Sequence, residues 1–262
     1  MRRGHELNEL RLYADGGDKG EKAEVDQSFR EFKRRIEAYK QEIWREIFHA
    51  NPDLIKVSKE KTAVRKLEQI VDATLRLSNE RGFHATSLRE LSSAAGMSMG
   101  GLYAYIRNKD DLVELIHNHG RALALRFLAE QLGDINDSRE KLRVAIRSYV
   151  FLCEAMRPWF HFTYMEVKNL NDKERKRVME AEMISDEIFT KIIVAGQEQG
   201  VFRTIDPRLS SALLKAMMQD WYLKGWKYRE LKVDVENFAD FLQDLIERHL
   251  VPEGSTTAEA AE

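Results

Sequence analysis

From Asp26 to Phe48, apolar residues recur at steps of three and four: Phe29, Phe32, Ile36, Tyr39, Ile43 and Ile47, with Arg, Lys and Glu between them. That period lays them along one stripe of a helix, which Trp44 and Phe48 widen. Asn51-Pro52 breaks the pattern and opens a linker. The same period returns from about Thr62 to Arg81, with Leu67, Ile70, Val71, Thr74 and Leu77 inward, Gly82 ending the helix and Phe83 placed to plug a core. Ser87 with Glu90 forms a capping-box pair, so a short helix runs through Leu88, Leu91 and Ala94 until Gly96 stops it. Ser98 caps a second short helix, Met99 to Ile106, with Leu102 and Ile106 inward and Met99, Gly100, Gly101, Tyr103 and Tyr105 facing away.

Asn108 caps a long helix to about Leu132, with Asp110 and Asp111 in the first turn where the helix dipole favours acid. Beyond Gly133 the pattern stays helical. Ser138 to about Met156 stops at Arg157-Pro158, and a dense aromatic run follows. Asn171 or Asp172 starts a helix to about Gln199, Asp206-Pro207 starts another to about Tyr228, and the last covers Val233 to Leu250. The expected fold is therefore all-α: an N-terminal three-helix helix-turn-helix DNA-binding domain, then a second helical domain, which a family resemblance of the Thr86–Lys109 stretch implies is for ligand binding and dimerisation, with an extra amphipathic helix at the N-terminus. The boundaries are 1–25, a glycine-containing flexible tail; 26–58, the extra helix and linker; 59–108, the helix-turn-helix domain; 109–251, the second domain; and 252–262, a second flexible tail.

Two short helices joined by a glycine turn from Thr86 to Lys109 are the layout of a DNA-reading helix-turn-helix. The residues Thr86-Ser87, Leu91, Ala95-Gly96, Ser98, Gly100, Leu102-Tyr103, Tyr105, Lys109 and Leu112 resemble the signature of the tetracycline-repressor (TetR) family of bacterial regulators. The resemblance covers roughly Lys61 to His119. It implies that Thr86, Tyr103, Tyr105 and Lys109 hold DNA phosphates, while Met99, Gly100 and Gly101, helped by Ser98, read bases. Here the chain departs from the commoner pattern, because neither Met99 nor Gly101 can hydrogen-bond a base through its side chain. Reading would then rest on thymine methyl contact, close backbone approach and DNA shape. The resemblance also implies a homodimer on a double-stranded DNA operator, since two recognition helices must sit about 34 Å apart.

Charge supports that division. The whole chain carries a formal −2, yet Lys59 to Lys109 holds nine Lys and Arg against five Asp and Glu. A basic module on an acidic body confines phosphate attraction to one surface. There is no run of eighteen apolar residues and no apolar leader at the N-terminus, so a cytoplasmic protein without a membrane partner is expected. The single cysteine, Cys153, sits among apolar neighbours as a buried thiol would. No nucleophile elbow, P-loop, dinucleotide fingerprint or metal-ligand spacing appears, and His117 and His119 fall on different helix faces. Neither a cofactor, a metal nor a catalytic residue is nominated.

A pocket for a hydrophobic effector, such as a fatty acyl or acyl-CoA, aromatic or drug-like compound, would draw on Met156, Trp159, Phe160, Phe162, Tyr164, Met165, Met183, Trp221 and Tyr222. Ordinary core packing competes for each. Arg175, Lys176 and Arg177 suit either acyl-CoA phosphates or a solvated helix face. Leu213, Met217, Phe241, Leu245 and Ile246, with small residues beside them, fit a four-helix dimer interface or an intrachain core. The extra helix has three readings: packing on its own chain or a dimer partner, a DNA-contacting arm, or a membrane-surface helix, the last disfavoured by its mixed charges. Two other functions remain open, a helical adaptor docking through residues 26–48 and an enzyme in a helical pocket.

Overall fold

The computed structural model describes residues 28–133, 135–170 and 172–252, without the side chains of 173, 174, 177 and 181. The expected tails at 1–25 and beyond Pro252, and the Arg177 side chain, lie outside the described residues. All regular structure described is helical, as the periodicity requires: α1 Phe29–Ala50, α2 Glu60–Arg81, α3 Leu88–Ala94, α4 Met99–Tyr103, α5 Lys109–Leu132, α6 Ser138–Ala155, α7 Arg157–Glu166, a 3-10 turn Val167–Asn169, α8 Asp172–Glu198, α9 Pro207–Leu223, α10 Gly225–Glu230 and α11 Val235–Leu250.

The chain forms two compact units. The first, the helix-turn-helix unit, consists of Arg34–Leu123 and Met156–Val178. It takes in more than residues 59–108 because neighbouring helices complete its core. Ile36, Trp44 and Ile47 of α1 are buried with Leu67, Ile70 and Val71 of α2. Gln41 reaches Glu68 at 3.2 Å and His49 reaches Glu60 at 3.0 Å, pinning α1 alongside α2. The extra helix thus spends its apolar stripe on its own chain, which leaves the adaptor and membrane-surface readings without a free apolar face. Helix α7 holds the aromatic run: Arg157-Pro158, expected as a stop, also begins a new helix, since proline near a helix start gives up only an N–H that has no acceptor there. Trp159 packs against Trp44, ring centroids 5.9 Å apart.

The second, C-terminal unit comprises, of the described residues, 28–33, 124–155 and 179–252. Phe32 meets Phe127 and Phe151 edge to face at 5.1 and 5.4 Å. Helix α6 packs on α11, with Arg143 paired to Glu247 and Arg147 to Asp240. The helix expected to continue to Tyr228 is interrupted. Helix α9 ends at Leu223, Lys224 leaves helical geometry at φ −116° and ψ 37°, and α10 starts at Gly225. Glycine costs helix stability, and Asp220 rewards the break by binding Lys227 and, at 2.7 Å, the Tyr228 hydroxyl.

One glycine in the helix-turn-helix unit is required by packing. A Cβ on Gly120 would lie 2.2 Å from Trp159 Cε3. Gly120→Ala should therefore destabilise the protein by about 1–3 kcal/mol despite alanine's better helix propensity. Chemical denaturation checks this; an unchanged midpoint would mean that Trp159 can give way freely.

Candidate nucleic-acid interface

The site is built on the capping chemistry of α3 and α4. Glu90 N–H donates to Ser87 Oγ at 3.2 Å and Ser87 N–H donates to Glu90 Oε2 at 2.8 Å, closing the capping box; these bonds hold the Glu90 carboxyl below its usual range. Arg81 pairs with the same carboxylate at 2.9 Å. Gly96 takes φ +63°, which a side chain would resist, and Met97 N–H closes the turn on Ser92 O at 2.9 Å. Ser98 Oγ then accepts from Gly101 N–H at 3.1 Å and starts α4. Leu102 is fully buried and anchors that helix.

Ser98 and Gly100 are exposed, Met99 and Gly101 half-buried, and Tyr103 is 45% exposed. A Cβ on Gly100 would meet nothing within 4 Å, so the first turn of α4 presents bare backbone to its surroundings. The sequence places Tyr105 outward, and the structure corrects this: Tyr105 is 4% exposed. Helix α4 ends at Tyr103 rather than Ile106, so the helical wheel no longer applies at 105 and the ring turns into the core with Ile106. Thr86 is also buried, and its hydroxyl donates to Gly82 O at 3.2 Å. Lys109 Nζ donates to Phe83 O at 2.6 Å and Thr86 O at 2.8 Å, and lies 4.3 Å above the Phe83 ring. Burial pulls its pKa down. Of the four residues expected on phosphates, Tyr103 alone stands well out; the other three carry structural bonds or core contacts.

The basic excess of residues 59–109 includes Lys61, Arg65, Arg89 and Arg107. Lys56, Lys61, Arg65, Arg89 and Arg107 are exposed. Lys56 N–H donates to Ala104 O at 2.8 Å, which fixes the linker at the end of α4. Arg107 grips Asp111 through Nε and Nη2 at 2.9 and 2.8 Å, and this ion pair holds the Asp111 carboxyl low.

The family model for bacterial regulatory proteins of the tetR family matches residues 70–116, and the tetracyclin repressor-like C-terminal domain matches residues 136–226. The chain belongs to the TetR family. Among TetR relatives, it is 24% identical over 204 residues to the HTH-type transcriptional regulator HbdR of Aromatoleum sp. strain CIB, covering 76% of this chain and 87% of that one. It is 21% identical to the fatty acid metabolism regulator protein of Bacillus subtilis strain 168, covering 69% and 93%. The solved TetR regulator PfmR of Thermus thermophilus superposes with a TM-score of 0.62 at 25% identity, covering 68% of this chain and 97% of PfmR. None of these comparisons points to an enzyme family.

The expected pocket residues of this TetR chain come from both units. Met156, Trp159, Phe160, Phe162 and Tyr164 belong to the helix-turn-helix unit, and Met183, Trp221 and Tyr222 to the C-terminal unit. Met156, Trp159 and Phe162 are core, Phe160 is half-buried and Tyr164 is 50% exposed, because helix α7 turns its aromatic run to alternate faces. Met183 is 67% exposed on the outer side of α8. Trp221 is stacked on Phe238 at 4.6 Å and donates to Glu154 at 2.9 Å, and Tyr222 is buried. At the expected interface Leu213, Phe241 and Leu245 are exposed and Met217 half-buried, but Ile246 is 6% exposed. It lies on the inner stripe of α11 with Phe238 and Leu242, so it belongs to the protomer core. Among the described residues no group of three or more His, Cys, Asp or Glu could hold a metal, and no helix is long and apolar enough to cross a membrane.

His117 is the unexpected member of the helix-turn-helix unit's core. It is 4% exposed, neither ring nitrogen has a hydrogen-bond partner among the described residues, and its ring lies 5.9 Å from Phe162, which in turn meets Phe83 at 5.4 Å. Burial first, and then the Arg121 charge, lower its pKa to about 4. The unfolded chain protonates near pH 6.5, so the neutral ring contributes stability above that pH which is lost as pH falls toward 4, with a slope of up to about 1.4 kcal/mol per pH unit. His117→Leu should flatten the stability profile in that window; denaturation curves with the same slope as the parent would refute it.

Proposed function

We propose that this chain represses transcription as a homodimer on a palindromic operator and is released when a hydrophobic small molecule binds its C-terminal domain. The observation that carries the DNA half is the capped and anchored α4, whose Ser98, Gly100 and Tyr103 are exposed in a segment rich in exposed Lys and Arg. Ser98 and the Gly100 backbone approach base edges in the major groove, Met99 supplies apolar contact, and Tyr103 with the surrounding Lys and Arg holds phosphates. The division at 59–108 and 109–251 serves as reader and sensor.

The dimer is supported by a groove between α9 and α11 lined by Leu213, Met217, Leu231, Phe241 and Leu245, an apolar surface that a second copy of the same two helices would cover as a four-helix contact. An acyl or aromatic effector fits the apolar composition of the C-terminal unit, and the name of the Bacillus subtilis relative attaches that protein to fatty acid metabolism. The effector acts by favouring a separation of recognition helices that no longer matches two successive grooves.

Fluorescence anisotropy with DNA from upstream of the chain's own gene should give sequence-preferring binding that weakens steeply with salt. Tyr103→Ala should cost about 0.5–1.5 kcal/mol of that binding while leaving folding stability within about 0.5 kcal/mol; binding indifferent to sequence and salt would end the regulator reading. Phe241→Glu should yield monomers by light scattering and abolish operator binding, whereas a variant that stays dimeric would place the interface elsewhere.

A further inference from the structure

The C-terminal unit buries a lysine without an acid to neutralise it. Lys215, on α9, is 4% exposed. Its ammonium donates to the Tyr149 hydroxyl of α6 and, at 2.5 Å, to Ser185 Oγ of α8, and it lies 4.0 Å from the centre of the Tyr149 ring. An ammonium has three donors. Two of them reach neutral hydroxyls, and no carboxylate among the described residues lies within ion-pair distance. The adjacent Asp186 has a buried Oδ1 with no hydrogen-bond partner, and its backbone oxygen is taken by Ser211 at 2.8 Å. Lys215 and Asp186 do not touch, and burial, the largest influence on each, raises the Asp186 pKa and lowers that of Lys215, with their mutual attraction opposing it. Native interiors pair nearly all buried polar groups, so an unneutralised cation beside an unpaired carboxylate oxygen calls for a missing partner.

The neighbourhood limits what that partner can be. Phe189 meets the Tyr149 ring at 5.8 Å, and Phe189, Met218 and Cys153 are fully buried. With the Asp186 carboxyl pushed toward its neutral acid by burial, the lysine charge and two hydroxyls suit a monoanion, and the apolar surroundings suit a hydrocarbon body. A phosphate dianion would carry more charge than the site balances, and a thioester or ester would leave the ammonium uncompensated. Asp186 also borders an open groove between α8 and α9, together with Ile184, Arg208 and Leu209.

We propose that Lys215, Tyr149 and Ser185 bind the carboxylate of a free hydrophobic organic acid, which is the effector. This rests on the regulator reading and narrows its effector class from acyl, aromatic or drug-like compounds to free acids. Lys215 supplies the charge, while the two hydroxyls position it and tell a carboxylate from a neutral carbonyl.

Isothermal titration of the full-length protein with octanoate, dodecanoate and phenylacetate, each against its methyl ester, tests the assignment. At least one acid should bind, its ester at least tenfold more weakly, and Lys215→Met should lose tenfold or more. Absence of binding by every acid, equal binding of acid and ester, or an unaffected Lys215→Met overturns the proposal. If Lys215→Met does not fold, Ser185→Ala keeps the ammonium and should weaken binding about threefold; unchanged affinity again overturns it. Operator binding is measured on the same samples without acid. Operator binding with no acid binding defeats this inference and spares the regulator reading, whereas absent operator binding defeats that reading whatever the acids do.

Discussion

A five-residue helix has no stability of its own, because nucleating a helix costs more than one turn of hydrogen bonds returns. Helix α4 exists because its surroundings hold it: Ser98 caps its start, Leu102 is sunk in the core, Tyr105 and Ile106 turn inward just past its end, and Lys56 N–H holds the Ala104 carbonyl. Lys109 then gathers the carbonyls of Phe83 and Thr86, tying the loop before α3 to the start of α5. Everything that the interface can do to DNA depends on this clamping, since a reading helix that frayed would meet the ordering cost again on each encounter.

The same bonds explain which parts of the interface could be read from the chain alone. The capping box at Ser87 and Glu90, the turn at Gly96 and the cap at Ser98 depend on residues three apart, and local chemistry reports them faithfully. Tyr105 and Thr86 depend on where a helix ends and on which carbonyl lies nearby, and periodicity carries no such information. Lys109 looks like a phosphate ligand by charge and position, yet its ammonium is occupied by three carbonyls that become neighbours only after folding. Resemblance assigns Thr86, Tyr105 and Lys109 to phosphates, and in the folded chain all three are engaged in structural bonds or core contacts.

In the C-terminal unit the sequence pattern identified helices well and faces less well. Phe241 and Leu245 point out while Ile246 points in, although all three are large, apolar and close together on α11. A stripe wide enough to serve both a core and a partner cannot be divided by hydrophobicity alone. The break at Lys224 escaped for a related reason, since a glycine inside a periodic stretch is compatible with an intact helix until Asp220 shows what the break gains. Lys215 is the extreme case. Nothing in its neighbourhood along the chain marks it as buried, and its partners Tyr149 and Ser185 come from two other helices.

The empty space above Gly100 has a further implication. Because the scaffold of α4 is maintained from beneath, a side chain introduced at that point would neither displace a neighbour nor weaken the fold. Under the proposed function, structural and informational duties are carried by different residues only one helical turn apart. If α4 reads bases as proposed, an asparagine, glutamine or arginine placed at position 100 would bring a hydrogen-bonding group to the base edges, and new operator preferences would lie a single substitution away.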